Sequence, residues 1–186
     1  MIFKKYQIKN INKRRLNVDM NLVIENYCDF DHVNYVHKKC YNYCKVIKKQ
    51  GNTSFLEYGV YHIPPIPIIH HYEMEHKFIS PNKIIYSSNR KGSKDKVIGE
   101  IYFEQIGDET EITQIHNFSL PLILKPFEFF IKILLNRWSQ ILWDEDSEMM
   151  ENRKNFLENG FKDGFHCGRW TNENGNVLWK FNKKIR

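Results

Sequence analysis

The strongest structural signal in this chain of 186 residues is residues 121–159, PLILKPFEFFIKILLNRWSQILWDEDSEMMENRKNFLEN. Apolar residues recur there three and four positions apart, as on one face of an amphipathic helix: Phe127, Phe130, Ile131, Leu134, Leu135, Trp138, Ile141 and Leu142. Lys125, Glu128 and Lys132 interrupt the apolar run, which therefore lacks the ~20 continuous apolar residues of a membrane span. The segment predicts one long amphipathic helix, and no transmembrane segment is expected.

The part of the chain before this helix has the pattern of β-strands. Short runs rich in Val, Ile, Tyr and Phe alternate with turn residues between positions 43 and 118, which is typical of antiparallel strands. We predict strands near 43–49, 53–62, 69–79, 83–90, 97–106 and 110–118. Residues 62–68 contain three prolines, which cannot donate to a ladder, so they are predicted to form a loop or an edge. About six strands and one long C-terminal helix predict an α+β domain in which a curved antiparallel sheet wraps around the helix and leaves a cavity.

The two ends of the chain differ from this middle part. Residues 1–18 are basic and polar and are predicted to form a solvated N-terminal arm, while residues 19–162 form the folded domain. Residues 163–186 contain several Gly and Asn residues and are predicted to be an irregular C-terminal tail.

Charge and cysteine content limit the classes of function. The formal net charge is +6, but the basic residues outside the N-terminal segment are scattered, so no nucleic-acid surface is predicted. The four cysteines follow no disulfide framework, and no secretory signal follows Met1. We therefore expect a cytoplasmic protein with reduced thiols.

The residues with the clearest chemistry lie between positions 26 and 37. Asp29, His32 and His37 place one carboxylate and two imidazoles close together, and Asn26 precedes them. Two imidazoles and one carboxylate form the facial triad that holds Fe(II) and leaves coordination positions open. The histidines are five positions apart, about 140° around a regular helix, so they converge only if the helix ends or widens between them. A further carboxylate must come from elsewhere, and residues 144–146 offer three acids beside the apolar stripe of the long helix.

These residues carry a resemblance to a known family. Residues 25–37, ENYCDFDHVNYVH, resemble the Asn-x2-Asp-x2-His-x4-His signature of the catalytic domain of Rieske non-haem iron oxygenases. Residues 142–151, LWDEDSEMME, resemble the family's segment that contains the iron carboxylate, which corresponds to Asp146. The resemblance implies a mononuclear Fe(II) bound by His32, His37 and Asp146, and a START/SRPBCC-like helix-grip fold. It places Asn26 and Asp29 in the catalytic site, with Asp29 orienting a ligand histidine and bridging to a Rieske cluster.

The chain departs from that family in one respect. A Rieske cluster requires a Cys-x-His and a Cys-x2-His pair, and neither spacing occurs; His166 and Cys167 are in the wrong order. No Rieske cluster is therefore predicted in this chain. Oxygen activation would need a separate ferredoxin-like or Rieske-type electron donor, which we expect to dock near Asp29.

Three hypotheses about function remain open from the sequence. The first is an oxygen-dependent hydroxylation or demethylation of an apolar, ring-containing substrate. The second is a non-catalytic protein of the same helix-grip shape that binds a hydrophobic ligand or lipid in the cavity. The third is an interaction subunit whose basic arm docks on a partner. An oligomer is compatible with each of them.

The remaining histidines have a simpler interpretation than a second metal site. Alternation along the strand at 69–79 places His70, Tyr72, Met74 and His76 on one face, and His71, Glu73 and Glu75 on the other. The first face is predicted to line the cavity and the second to face solvent. His116, near a strand end, either points into the cavity or has a structural role.

Overall fold

The computed structural model describes residues 4–61, 68–79, 81–93 and 96–159, together with three short strands between residues 165 and 180. The elements follow in this order: β1 (Lys5–Leu16), α1 (Met20–Cys28), α2 (Val33–Val36), β2 (Tyr41–Gln50), β3 (Thr53–Tyr61), β4 (Ile69–Ile79), β5 (Lys83–Arg90), β6 (Lys96–Ile106), β7 (Glu109–Pro121), a 3-10 helix (Leu122–Phe127), α3 (Glu128–Glu158), β8 (Phe165–His166), β9 (Arg169–Thr171) and β10 (Val177–Lys180).

The main sheet has seven strands in the order β1-β7-β6-β5-β4-β3-β2, and every neighbouring pair is antiparallel. Strands β2 to β7 are therefore a meander, as the regular spacing of turns predicted. The structure confirms the predicted α+β class, with the long helix α3 following the last strand of the sheet. The predicted loop at residues 62–68 falls almost wholly outside the described residues.

The N-terminal segment is a strand, and the predicted solvated arm is wrong. β1 pairs with β7 over its whole length, from Lys5 opposite Pro121 to Leu16 opposite Thr110. Ile8 and Leu16 are buried in the core. The prediction failed because polar residues such as Asn10 share the inner face and hide the period-2 apolar pattern of a half-buried strand.

Three basic residues of β1 form ion pairs on the domain itself. Lys13 and Arg15 lie 3.0 Å and 3.1 Å from the carboxylate of Glu111 on the neighbouring strand. Arg14 lies 2.7 Å from Asp144 on α3. A row of lysines and arginines also protects an edge strand from pairing with another chain. Within the described part of the N-terminal segment, the structure therefore offers no free basic arm to dock on a partner.

Helix α3 begins later than the sequence pattern indicates. Pro126 lacks an N–H and lies in the 3-10 helix that precedes α3. The second half of α3 buries Trp143, Met149 and Met150, whereas Phe129 and Phe130 near its start are exposed. In the part of the chain that the structure describes, no helix is long and apolar enough to span a membrane.

The buried side chains form two hydrophobic clusters. One contains Leu16, Val18, Val23, Ile84, Ile101, Phe103, Ile112 and Met150. It packs α1, β1 and the end of α3 onto the centre of the sheet. The other contains Phe30, Cys44, Leu56, Tyr58 and Val60, with Trp138 of α3 packed against it.

The C-terminal region is not entirely irregular, contrary to the prediction. Strands β8, β9 and β10 pair in the order β10-β9-β8 as a separate three-stranded sheet. The other residues beyond Asn159, including the Gly and Asn residues on which the prediction of a tail was based, lie outside the described part.

Candidate ligand cavity and metal site

A cavity of about 440 Å³ is lined by the inner face of the sheet, by α3 and by the segment of α1 and α2. This volume is within the usual range for sites that bind small organic molecules. Most of its wall is aromatic or aliphatic, with contributions from Phe30, Tyr58, Tyr72, Met74, Trp138 and Leu142. No lysine or arginine is among the described residues that line it.

The three predicted metal ligands meet at the wall of this cavity. His32 Nε2 and His37 Nε2 are 3.3 Å apart. Asp146 Oδ1 lies 3.4 Å from His32 Nε2 and 3.0 Å from His37 Nε2. All three side chains are buried and all three line the cavity. The structure thus brings together the residues of two segments that are far apart in the sequence.

The local backbone explains how two histidines five positions apart converge. Helix α1 ends at Cys28, and α2 is a single turn, Val33–Val36. His32 lies immediately before this turn and His37 immediately after it, so neither is confined to a regular helical face. This arrangement meets the geometric condition that the sequence imposed on the pair.

Two polar neighbours hold the triad. The Asn26 side-chain amide donates to Asp146 Oδ1 at 3.3 Å. His37 Nδ1 lies 3.1 Å from Glu145 Oε2, so this carboxylate accepts from the ring and directs Nε2 toward Asp146. Lys39 Nζ lies 3.5 Å from the other oxygen of Glu145, an ion-pair distance without a hydrogen bond.

Asp29 does not make the contact predicted for it. Its carboxylate accepts from the backbone N–H of Asp31 at 3.1 Å, and it lines the cavity. His32 Nδ1 is buried and has no hydrogen-bond partner among the described residues. The carboxylate that orients a histidine is instead Glu145. The sequence pointed to this residue only as one of three acids, because a helical pattern does not reveal which of them faces a histidine in another segment.

Two buried carboxylates, Glu145 and Asp146, affect the pKa of His37 at this site. Burial alone lowers the pKa of His37, but the charge of Asp146 and hydrogen bonds to Asp146 and Glu145 raise it to about 9. Burial opposes ionisation of Asp146, yet attraction and hydrogen bonds from His37 and His32 lower its pKa well below the ordinary value. Buried negative charge of this kind is stable only beside a cation. The arrangement favours either a protonated histidine or a metal ion.

The donor set fits a divalent metal ion. Donors about 2.1 Å from one ion and adjacent in its coordination shell lie about 3 Å apart, which agrees with the 3.0 to 3.4 Å separations of the triad. In the part of the chain that the structure describes, His32, His37 and Asp146 are the one group of this kind. That they bind iron stays a prediction.

Most side chains of β4 take the positions that alternation predicts, but His70 does not: it was predicted to line the cavity, and it is half-buried and not among the lining residues. Tyr72, Met74 and His76 line the cavity, whereas His71 is exposed and hydrogen-bonds Tyr43 Oη at 2.9 Å. His116 also lines the cavity and is buried. Of the two alternatives that the sequence left open for His116, the structure shows the first, a side chain that points into the cavity.

Comparisons with known proteins extend the description of the fold. No family model matches the chain, and no curated protein matches its sequence. Solved structures do resemble it. The Zhui aromatase/cyclase from Streptomyces sp. R1128 aligns with a TM-score of 0.67 at 10% identity, over 80% of this chain and 96% of that one. A START superfamily protein from Mycobacterium smegmatis aligns with a TM-score of 0.62 at 12% identity, over 77% and 97%.

A third structure, TTHA0849 from Thermus thermophilus, aligns with a TM-score of 0.63 at 12% identity, over 76% of this chain and 95% of that one. Alignments that cover nearly all of these proteins confirm the predicted START/SRPBCC-like helix-grip fold. At such low identity they show the fold alone. The finer resemblance to an oxygenase catalytic domain continues to rest on the two sequence segments that carry it.

Proposed function

We propose that this chain binds an apolar, ring-containing small molecule in the cavity between the sheet and α3. The observation that carries the proposal is the cavity itself, about 440 Å³ with a mainly aromatic and aliphatic wall. Large apolar side chains around an empty space of that size lack van der Waals contacts on one side, and a ligand would restore these contacts. Evolution rarely maintains such a void in a small domain without use, since filling it with larger side chains would stabilise the fold.

The arrangement of rings favours a flat ligand. Tyr41 contacts Tyr58 and Trp138 with ring centroids 5.8 Å apart in each pair, so rings of the sheet and of α3 adjoin at one place. Tyr58 and Tyr72 stack at 5.4 Å with an angle of 13° between the planes. Aromatic walls bind other rings through stacked and edge contacts. Two of the structures with this fold are named an aromatase/cyclase and a START superfamily protein, which also supports a cavity that accepts an organic ligand.

A pair of neighbouring substitutions on β6 tests this proposal. Val97 lines the cavity, whereas Ile98 is on the outer face and is 48% exposed. N-phenyl-1-naphthylamine, a neutral probe that fluoresces in apolar surroundings, should bind saturably to the native chain. Val97→Trp fills part of the cavity and should weaken binding about tenfold or more. Ile98→Trp should bind like the native chain. Equal binding by both variants, or no saturable binding by the native chain, would overturn the proposal.

A second candidate function, iron-dependent oxygenation, is favoured by one specific observation. His32, His37 and Asp146 present their donor atoms at the wall of the same cavity. Fe(II) held there would supply the oxygen-activating chemistry for hydroxylation or demethylation of the bound molecule. In this proposal Asn26 and Glu145 keep the donors in place, and the apolar wall orients the ligand and excludes water. Electrons would come from a separate Rieske or ferredoxin-type partner.

Metal content distinguishes the two candidates. If the chain only binds a ligand, protein purified without oxygen contains no stoichiometric iron and still binds the fluorescent probe. If it is an oxygenase component, the same preparation contains about one iron per chain, and probe and metal bind together.

A further inference from the structure

A line of polar side chains crosses the sheet on the side of the cavity. The strand registers place one residue of each strand directly opposite the next: His76 on β4, Tyr86 on β5, Gly99 on β6, His116 on β7 and Asn10 on β1. Residues directly opposite in neighbouring strands project from the same face. His76, Tyr86 and His116 all line the cavity. We refer to His76, Tyr86, His116 and Asn10 as the polar row.

Gly99 allows the row to be continuous. A Cβ atom at this position would overlap the ring of Tyr86. Because glycine has no side chain, the Tyr86 ring lies across β6 toward β7, where its centroid is 5.9 Å from that of His116. The Tyr86 hydroxyl thereby lies over Gly99, on the side of Tyr86 that faces His116.

One polar atom of the row is buried without a partner, and the histidines of the row are buried too. Asn10 Nδ2 is buried and has no hydrogen-bond partner among the described residues. His116 is 8% exposed, and its neighbours are the rings of Tyr86 and Phe118. Burial lowers the pKa of both His76 and His116 to about 4. Their imidazoles are neutral near pH 7, and each can both donate and accept a hydrogen bond.

We infer that the polar row binds an oxygen atom of the ligand, a hydroxyl or a carbonyl on its ring system. The inference rests on the proposed function and specifies the class of ligand: a neutral, oxygenated ring compound such as a phenol, a cyclic alcohol or a cyclic ketone. Buried polar groups are stable when they are hydrogen-bonded, and a ligand oxygen in the cavity can bond the three members of the row that line it, His76, Tyr86 and His116. The absence of lysine and arginine among the described lining residues argues against a carboxylate or phosphate ligand.

Two ligands of similar shape test the inference. 1-Naphthol and 1-methylnaphthalene differ in one group, a hydroxyl against a methyl. In a purely apolar cavity the methyl compound binds more tightly, because the hydroxyl loses its water without a new partner. The polar row should reverse this order, so the native chain should bind 1-naphthol about threefold more tightly or better. Displacement of N-phenyl-1-naphthylamine measures both affinities.

Variants locate the effect. His116→Phe keeps a ring but removes both nitrogens, and it should restore the preference for 1-methylnaphthalene. His71→Phe, on the outer face, should keep the preference of the native chain. Should His116→Phe fail to fold, His76→Phe tests the same row from the other side.

The outcomes separate this inference from the proposed function. If the native chain binds neither the probe nor the two compounds, the proposed function itself is wrong; if it binds the probe and neither compound displaces it, only the inference is overturned. If both bind and the native chain prefers the methyl compound or shows no preference, only the inference is overturned. A preference for 1-naphthol that persists in both His116→Phe and His76→Phe would also overturn it.

Discussion

His37 Nε2 lies 3.0 Å from Asp146 Oδ1, and this contact joins the single-turn helix α2 to the middle of α3. It brings together an imidazole and a carboxylate from opposite ends of the domain sequence at the wall of an apolar cavity. With His32 nearby, the contact places a cluster of buried ionisable groups in a mainly apolar wall.

The triad predicts stoichiometric metal binding. Protein prepared without oxygen and incubated with Fe(II) should retain about one iron per chain after desalting. His37→Ala removes a donor and should lower the retained iron to near zero, as measured by elemental analysis. His71→Ala changes an exposed histidine on the outer face and should retain the native amount. Equal iron in both variants, with circular dichroism confirming folded protein, would contradict a metal site at the triad.

Glu145 is predicted to position His37. Glu145→Gln weakens the acceptor for His37 Nδ1 and should lower the affinity for Fe(II) by about 10- to 100-fold. Asp144 is its neighbour on α3 but is 59% exposed at the side chain and pairs with Arg14, so Asp144→Asn serves as the matched control. Competition with a metal-sensitive chelator measures both affinities. If the two variants lose affinity to the same extent, a general effect of charge explains the loss and the positioning role is wrong.

The buried histidines of the sheet predict a loss of stability in acid. His76 and His116 have pKa values of about 4 in the folded chain, below the ordinary 6.5, because burial disfavours their charged form. Since the unfolded chain takes up protons first, the contribution of these two histidines to the free energy of unfolding is constant above about pH 6.5 and falls between there and about pH 4. Each histidine accounts for up to about 3 kcal/mol of this fall.

Urea denaturation across this pH range checks that expectation. His116→Phe should lose less stability between neutral pH and about pH 4 than the native chain, while His71→Phe should follow the native profile. A His116→Phe profile parallel to that of the native chain would show that this imidazole is not buried in its neutral form.

The assignment of β1 to the sheet predicts unequal effects for two isoleucines of the same strand. Ile8 is 1% exposed, whereas Ile11 is 51% exposed. Ile8→Ala should lower the free energy of unfolding by about 2–5 kcal/mol, because it leaves a cavity in the core. Ile11→Ala should change it by about 0.5 kcal/mol or less. A free N-terminal arm would make both substitutions neutral, and thermal and urea denaturation decide between the two.

The sequence predicted most of the fold because its signals are local. Strands β2 to β7 and helix α3 each have a regular spacing of apolar residues that can be recognised within a short window of sequence. Strand β1 was missed because Asn10, Asn12 and Arg14 occupy its inner face, and only pairing with β7 makes them inward-facing. The pairing of β1 with β7 joins residues about 100 positions apart, and the local spacing of apolar residues does not predict such a pairing.

The candidate site was predictable to a similar degree. Spacing singled out His32 and His37, and the resemblance added Asp146, which the structure places beside them. The contact of Glu145 with His37 and the polar row across the sheet were not foreseen. Both depend on which residues of different elements face each other, and register and helix rotation are set by packing of the whole domain.

The most direct test of the central claim, that the cavity binds an apolar ring compound, is to map the site of binding. A neutral aryl diazirine can be photolysed with the native chain, with and without excess N-phenyl-1-naphthylamine, and the labelled peptides identified by mass spectrometry. We predict labels that the competitor suppresses on residues of the cavity wall, such as Met74 of β4 and Leu142 of α3. Labels confined to the exposed side chains of Phe129 and Phe130, or labels that the competitor does not suppress, would contradict the account.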